Sequence, residues 1–123
     1  MRIIYLIPAY NEEGSLDKLA DNLSTQLLRF PQLQAYIIDN ASTDNTKAVI
    51  QALEVKHPWI HGIYIKEKGM GVAFRYAIRE IRGLHLGSED WVIFSAADLP
   101  FGFSDLESFI EKRKEYESCI TFV

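Results

Sequence analysis

Residues 2–13 have the sequence RIIYLIPAYNEE, which opens with an unbroken run of β-favouring residues from Ile3 to Ile7. Such a run is typical of a parallel strand covered on both faces, because a strand with one wet face alternates apolar and polar residues. Pro8 is expected to end the strand, since proline cannot donate a hydrogen bond to a neighbouring strand. Asn11 can cap a helix, and the two acidic residues after it suit a helix N-terminus. The stretch therefore predicts a central strand, a tight exit and a helix start.

The remaining sequence alternates predicted strands with predicted helices. Apolar residues at helical spacing predict helices that end near Pro31, before Pro58 and at Gly83. The later strands are predicted at residues 34–39, 59–65, 91–94 and 119–123, and a capping box at 104–107 predicts one more helix. This alternation predicts a single α/β domain with a doubly wound, mostly parallel, Rossmann-like sheet.

The composition limits the class of protein. A chain of 123 residues with a net charge of −4 lacks the basic balance expected of a nucleic-acid binder. Cys119 is the only cysteine, so a disulfide framework and a thiolate metal cluster are excluded, and we expect it to be a small buried residue of the last strand. Without a bilayer-length apolar run or a signal peptide, the default expectation is a cytoplasmic protein.

Three segments at the ends of predicted strands, 8–12, 39–44 and 96–99, carry most of the candidate site residues. Because ligands of open α/β sheets bind at the carboxyl ends of the strands, we expect these segments to surround one pocket. Asp39 is placed to accept hydrogen bonds from a base or a ribose. Asp98 is the candidate ligand for a divalent cation, since Mg²⁺ is often held by one or two protein carboxylates together with phosphate oxygens.

A glycine-bearing loop at residues 66–71 is expected to form a fourth side of this pocket. The backbone at Gly71 can approach a phosphate closely because glycine has no Cβ. Lys66, Lys68 and Arg75 could offset the charge of a diphosphate, although solvated surface charge is the commoner role of such residues. The glycines do not form the dinucleotide fingerprint, which needs a third glycine directly after a strand, so an ordinary surface loop is an equal alternative.

The other candidates also have structural alternatives. Four residues of the second motif are also good capping and turn residues: Asp39, Asn40, Ser42 and Asp44. For Ser42 and Asp44 that role is favoured over ligand contact. Tyr10 could be a packing residue, and Asp98 could accept a hydrogen bond within a local turn. The order of the motifs along the chain, more than any single residue, favours a ligand site.

Four motifs carry that order: IPAYNE at 7–12, IDNASTDNT at 38–46, KGMGVA at 68–73 and FSAADL at 94–99. Together they resemble the family 2 glycosyltransferases of the GT-A fold, and the nearest resemblance is to the dolichyl- or polyprenyl-phosphate sugar transferases. The resemblance spans the whole chain. Residues 1–123 are therefore expected to be the nucleotide-sugar-binding part of a GT-A-like domain that is incomplete at its C-terminus.

The resemblance implies a nucleotide-diphosphate sugar donor, Mg²⁺ or Mn²⁺, and transfer with inversion to an acceptor for which a lipid phosphate is one candidate. Asp39 would lie at the base, and Asp98 would be the surviving residue of the family's Asp-x-Asp metal motif. The donor-binding residues implied in this way are Pro8, Ala9, Tyr10, Glu12, Asp39, Gly71, Arg75, Ala97 and Asp98. A longer form would act at the cytoplasmic face of a membrane.

The chain departs from the family pattern in two places. Ala96 stands at the first position of the metal motif, which weakens the expected metal site, and Asn40 replaces an acidic residue common in the second motif. In the family the general base lies further along the chain, so we expect it beyond Val123 and name no catalytic residue.

Two alternatives to a glycosyltransferase and one prediction about assembly follow from these observations. A nucleotide-sugar-binding module without catalysis fits Ala96 and the missing base. A phosphoacceptor receiver domain is disfavoured, because the third predicted strand runs into Ile65 and Lys66 with no aspartate. The last predicted strand, if it lies at a sheet edge, could also mediate self-association.

Overall fold

The computed structural model describes residues 2–67, 69–95 and 121–122, and these residues form an α/β fold. The strands are β1 (Ile3–Ala9), β2 (Leu33–Asn40), β3 (Ile60–Ile65), β4 (Trp91–Phe94) and β5 (Thr121–Phe122), and the helices are α1 (Leu16–Gln26), α2 (Thr46–Lys56) and α3 (Met70–Arg82). All of these strands are parallel, in the order β3-β2-β1-β4-β5. The predicted Rossmann-like sheet is confirmed.

Both faces of β1 are buried, as its unbroken apolar run predicted. Ile3, Tyr5 and Ile7 belong to the cluster of buried side chains that α1 and α2 cover. Ile4 and Leu6 belong to a second cluster, which includes residues of α3. Side chains of a strand alternate between faces, so a strand between two helical layers needs apolar residues at every position. The sheet is therefore doubly wound.

Pro8 does not end β1, contrary to expectation: the strand continues to Ala9, and Pro8 pairs with Ile38 of β2. The backbone groups of alternate residues in a parallel strand point to the same neighbour. The carbonyl of Leu6 points toward β4, where it accepts the N–H of Ser95 at 3.1 Å. Pro8 shares this orientation, but the pairing of β1 with β4 ends at Leu6. The missing N–H of Pro8 therefore removes no bond to β2.

The prediction that Asn11 caps the first helix is also wrong. The first helix begins at Leu16, after Ser15, and Asn11 lies in the loop with a φ of 53°. Asparagine tolerates this left-handed backbone conformation better than most residues do. Gly83 does end α3, as predicted. The predicted helix near residues 104–107 and Cys119 lie outside the described residues.

The start of the chain is fastened to the loop before β4 by Arg2 and Asp90. Arg2 donates to Asp90 from its backbone N–H at 2.7 Å and from its guanidinium group at 2.9 and 3.1 Å. The third guanidinium nitrogen donates to the carbonyl of Leu84 at 2.8 Å. The backbone N–H of Gly87 donates to the same carboxylate, and these hydrogen bonds lower the pKa of Asp90 to about 2. This pair fixes the amino edge of the sheet.

Candidate functional site

The candidate site lies at the carboxyl edge of the sheet. The strands β2 and β3 lie on one side of β1, and β4 and β5 lie on its other side. The strand order therefore reverses between β1 and β4, and open α/β sheets bind ligands beside such a reversal. The ends of β1, β2 and β4 border this position.

Asp39 is buried at the end of β2, where it pairs in register with Ala9 of β1. One carboxylate oxygen, Oδ1, accepts the backbone N–H of Ser42 at 3.2 Å. The other oxygen accepts no hydrogen bond from the described residues. A buried carboxylate is costly to desolvate unless its oxygens are hydrogen-bonded. Asp39 is thus fixed by its own turn and keeps an acceptor for a ligand.

A polar group on β3 lies beside Asp39. Tyr64 pairs in register with Asp39, and its hydroxyl donates to the carboxylate of Glu54 on α2. Burial raises the pKa of Tyr64 above its ordinary value, and the hydrogen bond to Glu54 and the charges of Glu54 and Asp39 add to this increase. The phenol is therefore protonated at neutral pH. It donates to Glu54 and adds no second negative charge beside Asp39.

The loops that follow β1 and β2 are joined by Asn11. Its side-chain oxygen accepts the backbone N–H groups of Thr43 at 2.8 Å and of Asp44 at 3.3 Å. Its own backbone N–H donates to the hydroxyl of Ser42 at 3.0 Å. Ala41 has a φ of 57°, which is uncommon for a residue other than glycine. These hydrogen bonds thus join the loop after β1 to the loop after β2.

Thr46 makes a second connection between these loops. Its side chain is fully buried, and its hydroxyl accepts the backbone N–H of Glu12 at 2.9 Å and donates to Asp44. Asp44 also accepts the backbone N–H of Thr46 at 2.9 Å. The hydroxyl of Thr46 is the first cause of a lowered pKa for Asp44. Asp44 therefore has the turn role that the sequence analysis favoured.

The remaining predicted residues of β1 and its exit lie at the same edge. Ala9 is buried and Pro8 is half-buried, while Tyr10 is 43% exposed and extends beyond the strand. The side chain of Glu12 accepts the hydroxyl of Ser15 at 3.1 Å, which places it at the start of α1. An aromatic ring next to a strand end can stack on a flat ligand.

The structure explains the first glycine of the glycine-bearing loop, Gly69, but gives no packing reason for the second, Gly71. Gly69 has a φ of 133°, where a side chain would be strained, and it precedes the first residue of α3. A Cβ added at Gly71 would meet nothing within 4 Å among the described atoms. Packing therefore gives no reason for glycine at 71, whereas the close approach of a ligand would. Arg75 is exposed one turn further along α3, and no described contact joins it to Asp39 or Tyr10.

Asn40 is a buried polar residue without an evident structural role. Its side chain is 8% exposed, and Oδ1 has no hydrogen-bond partner among the described residues. Leaving such an acceptor unsatisfied costs about 1–3 kcal/mol. The neighbour in sequence, Asp39, lies on the opposite face of β2 because side chains alternate along a strand. The end of β2 thus offers acceptors on both faces.

Part of the predicted site lies outside the described residues, including Ala96, Ala97, Asp98 and Lys68. Within the described residues, no group of three histidine, cysteine, aspartate or glutamate side chains could hold a metal ion. The metal role of Asp98 therefore stays a prediction. The helices described are also too short or too polar to cross a bilayer.

A separate hollow of about 560 Å³ lies at the opposite, amino edge of the sheet, where Arg2, Gln34 and His61 line it. These residues lie at or near the starts of β1, β2 and β3. The hollow is therefore distinct from the candidate site.

The sequence analysis missed the roles of Asn11 and Thr46, and it noted Asn40 only as a turn residue and as a departure from a motif. A local signal existed for Asn11, because asparagine tolerates a left-handed backbone. Thr46 follows the N-cap residue Asn45 and does not itself cap α2. The partners of Asn11 are more than thirty residues away in the chain. No local pattern identifies such partners.

Comparison with known proteins identifies the family of this fold. The sequence profile described as "Glycosyl transferase family 2" matches residues 5–122, nearly the whole chain. The chain belongs to glycosyl transferase family 2. The resemblance of its motifs to family 2 is thereby confirmed, and family membership makes sugar transfer the class of activity to consider.

Several curated proteins are similar to parts of this chain. Chondroitin synthase from Escherichia coli is 33% identical over 84 residues, which cover 68% of this chain and 12% of that protein. The dolichyl N-acetyl-alpha-D-glucosaminyl phosphate 3-beta-D-2,3-diacetamido-2,3-dideoxy-beta-D-glucuronosyltransferase from Methanococcus voltae is 31% identical over 118 residues, which cover 92% of this chain and 35% of that protein. Protein RfbJ from Shigella flexneri is 33% identical over 67 residues, or 54% of this chain and 47% of that protein. The family 2 chain spans less than half the length of each relative.

A solved structure has the same fold. The mannosyltransferase PcManGT from Pyrobaculum calidifontis, in complex with GDP-Man and Mn²⁺, has a TM-score of 0.66 and 26% sequence identity. The match covers 79% of this chain and 27% of that protein. This likeness supports the assignment of the sheet to the GT-A fold of family 2.

Proposed function

We propose that residues 1–123 are the nucleotide-sugar-binding part of a family 2 glycosyltransferase, which transfers a sugar from a nucleotide-diphosphate donor to an acceptor with inversion at the anomeric carbon. The observation that carries the proposal is the position of Asp39. It is buried at the carboxyl end of β2, beside Ala9 and the reversal of strand order, with a carboxylate oxygen that no described residue uses.

A carboxylate in this position accepts hydrogen bonds and cannot donate them. It therefore suits a base that presents a ring N–H, as uracil and guanine do. Tyr10 is exposed at the neighbouring strand end and offers a ring to stack on such a base. Pro8, Ala9 and Glu12 complete this side of the nucleoside site. The GDP-Man bound to PcManGT supports a nucleotide sugar as the class of donor.

The diphosphate would lie toward the start of α3. Gly71 leaves room for its oxygens, and the N-terminus of a helix attracts anions. Arg75 would supply positive charge from the same helix. The positions Ala97 and Asp98 follow β4, on the other side of the strand-order reversal, and would contact the sugar end of the donor.

A divalent cation, Mg²⁺ or Mn²⁺, is part of this proposal. PcManGT was solved with Mn²⁺, and the resemblance of the motifs implies that Asp98 would be a metal ligand in this chain. When bound, the cation would neutralise charge on the departing diphosphate. Asp98 and the phosphate oxygens of the donor would hold the ion.

The acceptor is proposed to be a lipid phosphate, at the cytoplasmic face of a membrane. The name of the Methanococcus voltae relative includes a dolichyl phosphate substrate, which supports this class of acceptor. By the family resemblance, the general base is expected beyond Val123.

Calorimetric titration of the chain with UDP, GDP, CDP and ADP tests the donor site. We expect one or more of these nucleotides to bind, and Asp39→Ala to weaken binding about tenfold or more because a buried charge-assisted hydrogen bond is lost. Asp21→Ala, an exposed aspartate of α1, is the matched control and should bind as the unchanged chain does. Binding that survives Asp39→Ala unchanged would contradict the proposed site.

A nucleotide-sugar-binding module without catalysis is the second candidate function. Ala96 at the first metal-motif position favours it, because one carboxylate is missing there. Assays of donor hydrolysis and of sugar transfer by the longer chain separate the two functions. Binding with no turnover under any metal would favour the module.

A further inference from the structure

The strand β3 forms one edge of the described sheet, and its outer side has no neighbour there. The N–H of Ala35 on β2 donates to the carbonyl of Trp59. The backbone N–H and C=O groups of odd-numbered residues in this segment therefore point toward β2. Gly62 and Tyr64 therefore point their backbone N–H and C=O groups away from the sheet. Ile60 has the same orientation, but its N–H already donates to the carbonyl of His57 at 3.0 Å.

This edge lacks the features that usually prevent strand pairing. Protected edges carry lysine, proline, inward-pointing charge or a bulge. The sequence of β3, IHGIYI, has none of these residues, and its pairing with β2 is regular from Ile60 to Ile65. A regular, uncharged edge strand is a template for another strand.

The side chains beside the edge carry charges of both signs. Lys47 of α2 lies over the ring of Tyr64, with Nζ 5.4 Å from the ring centroid. Glu54 of the same helix lies over Gly62, because a Cβ placed on Gly62 would be 2.6 Å from Oε1 of Glu54. The carboxylate of Glu54 also accepts a hydrogen bond from the hydroxyl of Tyr64. One end of the edge is therefore positive and the other negative. A surface with this arrangement is complementary to its own copy after a two-fold rotation.

We propose that β3 is a self-association surface, on which two copies of this chain pair their β3 strands antiparallel about a two-fold axis at Ile63. In this register Gly62 lies opposite Tyr64 of the second copy, so each N–H donates to the other residue's carbonyl. Ile63 packs against Ile63 of the second copy. Glu54 faces Lys47 of the second copy, and no like charges are opposed within the strands. The inference goes beyond the proposed function and does not depend on it.

Amide hydrogen exchange of the chain at low and high concentration tests this pairing residue by residue. The amides of His61 and Ile63 point toward β2 and should be protected at both concentrations. The amides of Gly62 and Tyr64 should be exposed at low concentration and become protected as the dimer forms. Sedimentation velocity over the same concentrations measures the dimer itself. A chain that stays monomeric would overturn the proposal.

Substitutions on α2 test the register. Lys47→Glu opposes two carboxylates across the axis, and Glu54→Lys opposes two ammonium groups, so each should weaken dimerisation about threefold to tenfold. The double substitution restores opposite charges and should recover the affinity. Lys56→Glu makes the same charge change at an exposed residue of α2 for which no contact with Tyr64 is described, and it should have no effect.

The outcomes also separate β3 from the last strand, for which the sequence predicted self-association. β5 is the other edge of the described sheet. The dimer could form while the amides of Gly62 and Tyr64 stay unprotected and the substitutions on α2 leave the dimerisation affinity unchanged. That result would overturn the proposal for β3 and favour pairing through β5.

Discussion

The side-chain oxygen of Asn11 accepts the backbone N–H of Thr43 at 2.8 Å, across more than thirty residues of sequence. This bond, with the bond from Glu12 to Thr46, joins the loops after β1 and β2. Both loops border Asp39, whose turn belongs to the second of them. The shape of the proposed nucleoside site therefore depends on hydrogen bonds between the loops that follow β1 and β2.

Replacement of Asn11 should affect stability and binding together. Asn11→Ala leaves the N–H groups of Thr43 and Asp44 without this acceptor and puts alanine at a φ of 53°, so the free energy of unfolding should fall by about 1–3 kcal/mol. Asn11→Gly removes the same acceptor but tolerates the backbone, so it should be more stable than Asn11→Ala. Urea unfolding and nucleotide titration measure both effects. Asn22→Ala, on α1, is the control, and equal unfolding midpoints for all variants would contradict the role of Asn11.

The two aspartates of the proposed site should respond differently to metal. Asp39 is proposed to contact the base, so Asp39→Ala should weaken nucleotide binding with or without a divalent cation. Asp98 is proposed to act through the cation, so Asp98→Ala should weaken binding mainly when Mg²⁺ or Mn²⁺ is present. Titrations in chelator and in excess metal compare them. Equal losses in chelator would show that the roles are not divided in this way.

Much of the fold could be predicted because its elements follow the hydrophobic pattern. The run from Ile3 to Ile7 predicted a strand buried on both faces, and the strand at 91–94 is found at the predicted residues. The prediction that Pro8 ends the strand failed because a proline weakens strand pairing only on the side that its missing N–H would face. That neighbour, β4, is more than eighty residues away in the sequence, and its pairing with β1 stops before Pro8.

The site was less predictable than the fold. The position of Asp39 beside Ala9 follows from the parallel order of the strands, which the alternation of strands and helices already implied. Asn11 was misassigned because its partners lie in another loop, and a helix cap is the commoner role of asparagine before acidic residues. The lack of a partner for Oδ1 of Asn40 is visible only once the strand is packed.

Acid should destabilise the chain partly through Asp90. The pKa of this carboxyl is lowered from 3.8 to about 2 in the fold, first by the N–H of Gly87 and also by Arg2. A lowered pKa means that the ionised form favours the folded state, so the contribution is complete above about pH 4 and is lost as the pH falls toward 2. Asp90→Asn should be less stable at pH 7, and its difference from the unchanged chain should shrink between pH 4 and pH 2. Unfolding followed by urea at several pH values measures this, with the exposed Asp21→Asn as control. A constant difference across that range would contradict the assignment.

The two glycines at the start of α3 should give opposite results when each becomes alanine. Gly69→Ala places a side chain at a φ of 133°, so the free energy of unfolding should fall by at least about 1–2 kcal/mol. Gly71→Ala has open space around its Cβ and lies in the first turn of a helix, where alanine gains up to about 1 kcal/mol over glycine. If the diphosphate approaches the backbone at Gly71, the same methyl group should weaken nucleotide binding while it stabilises the fold. Thermal unfolding and calorimetric titration of both variants measure the two quantities separately. A Gly71→Ala chain that is more stable and binds as tightly as before would move the diphosphate away from α3.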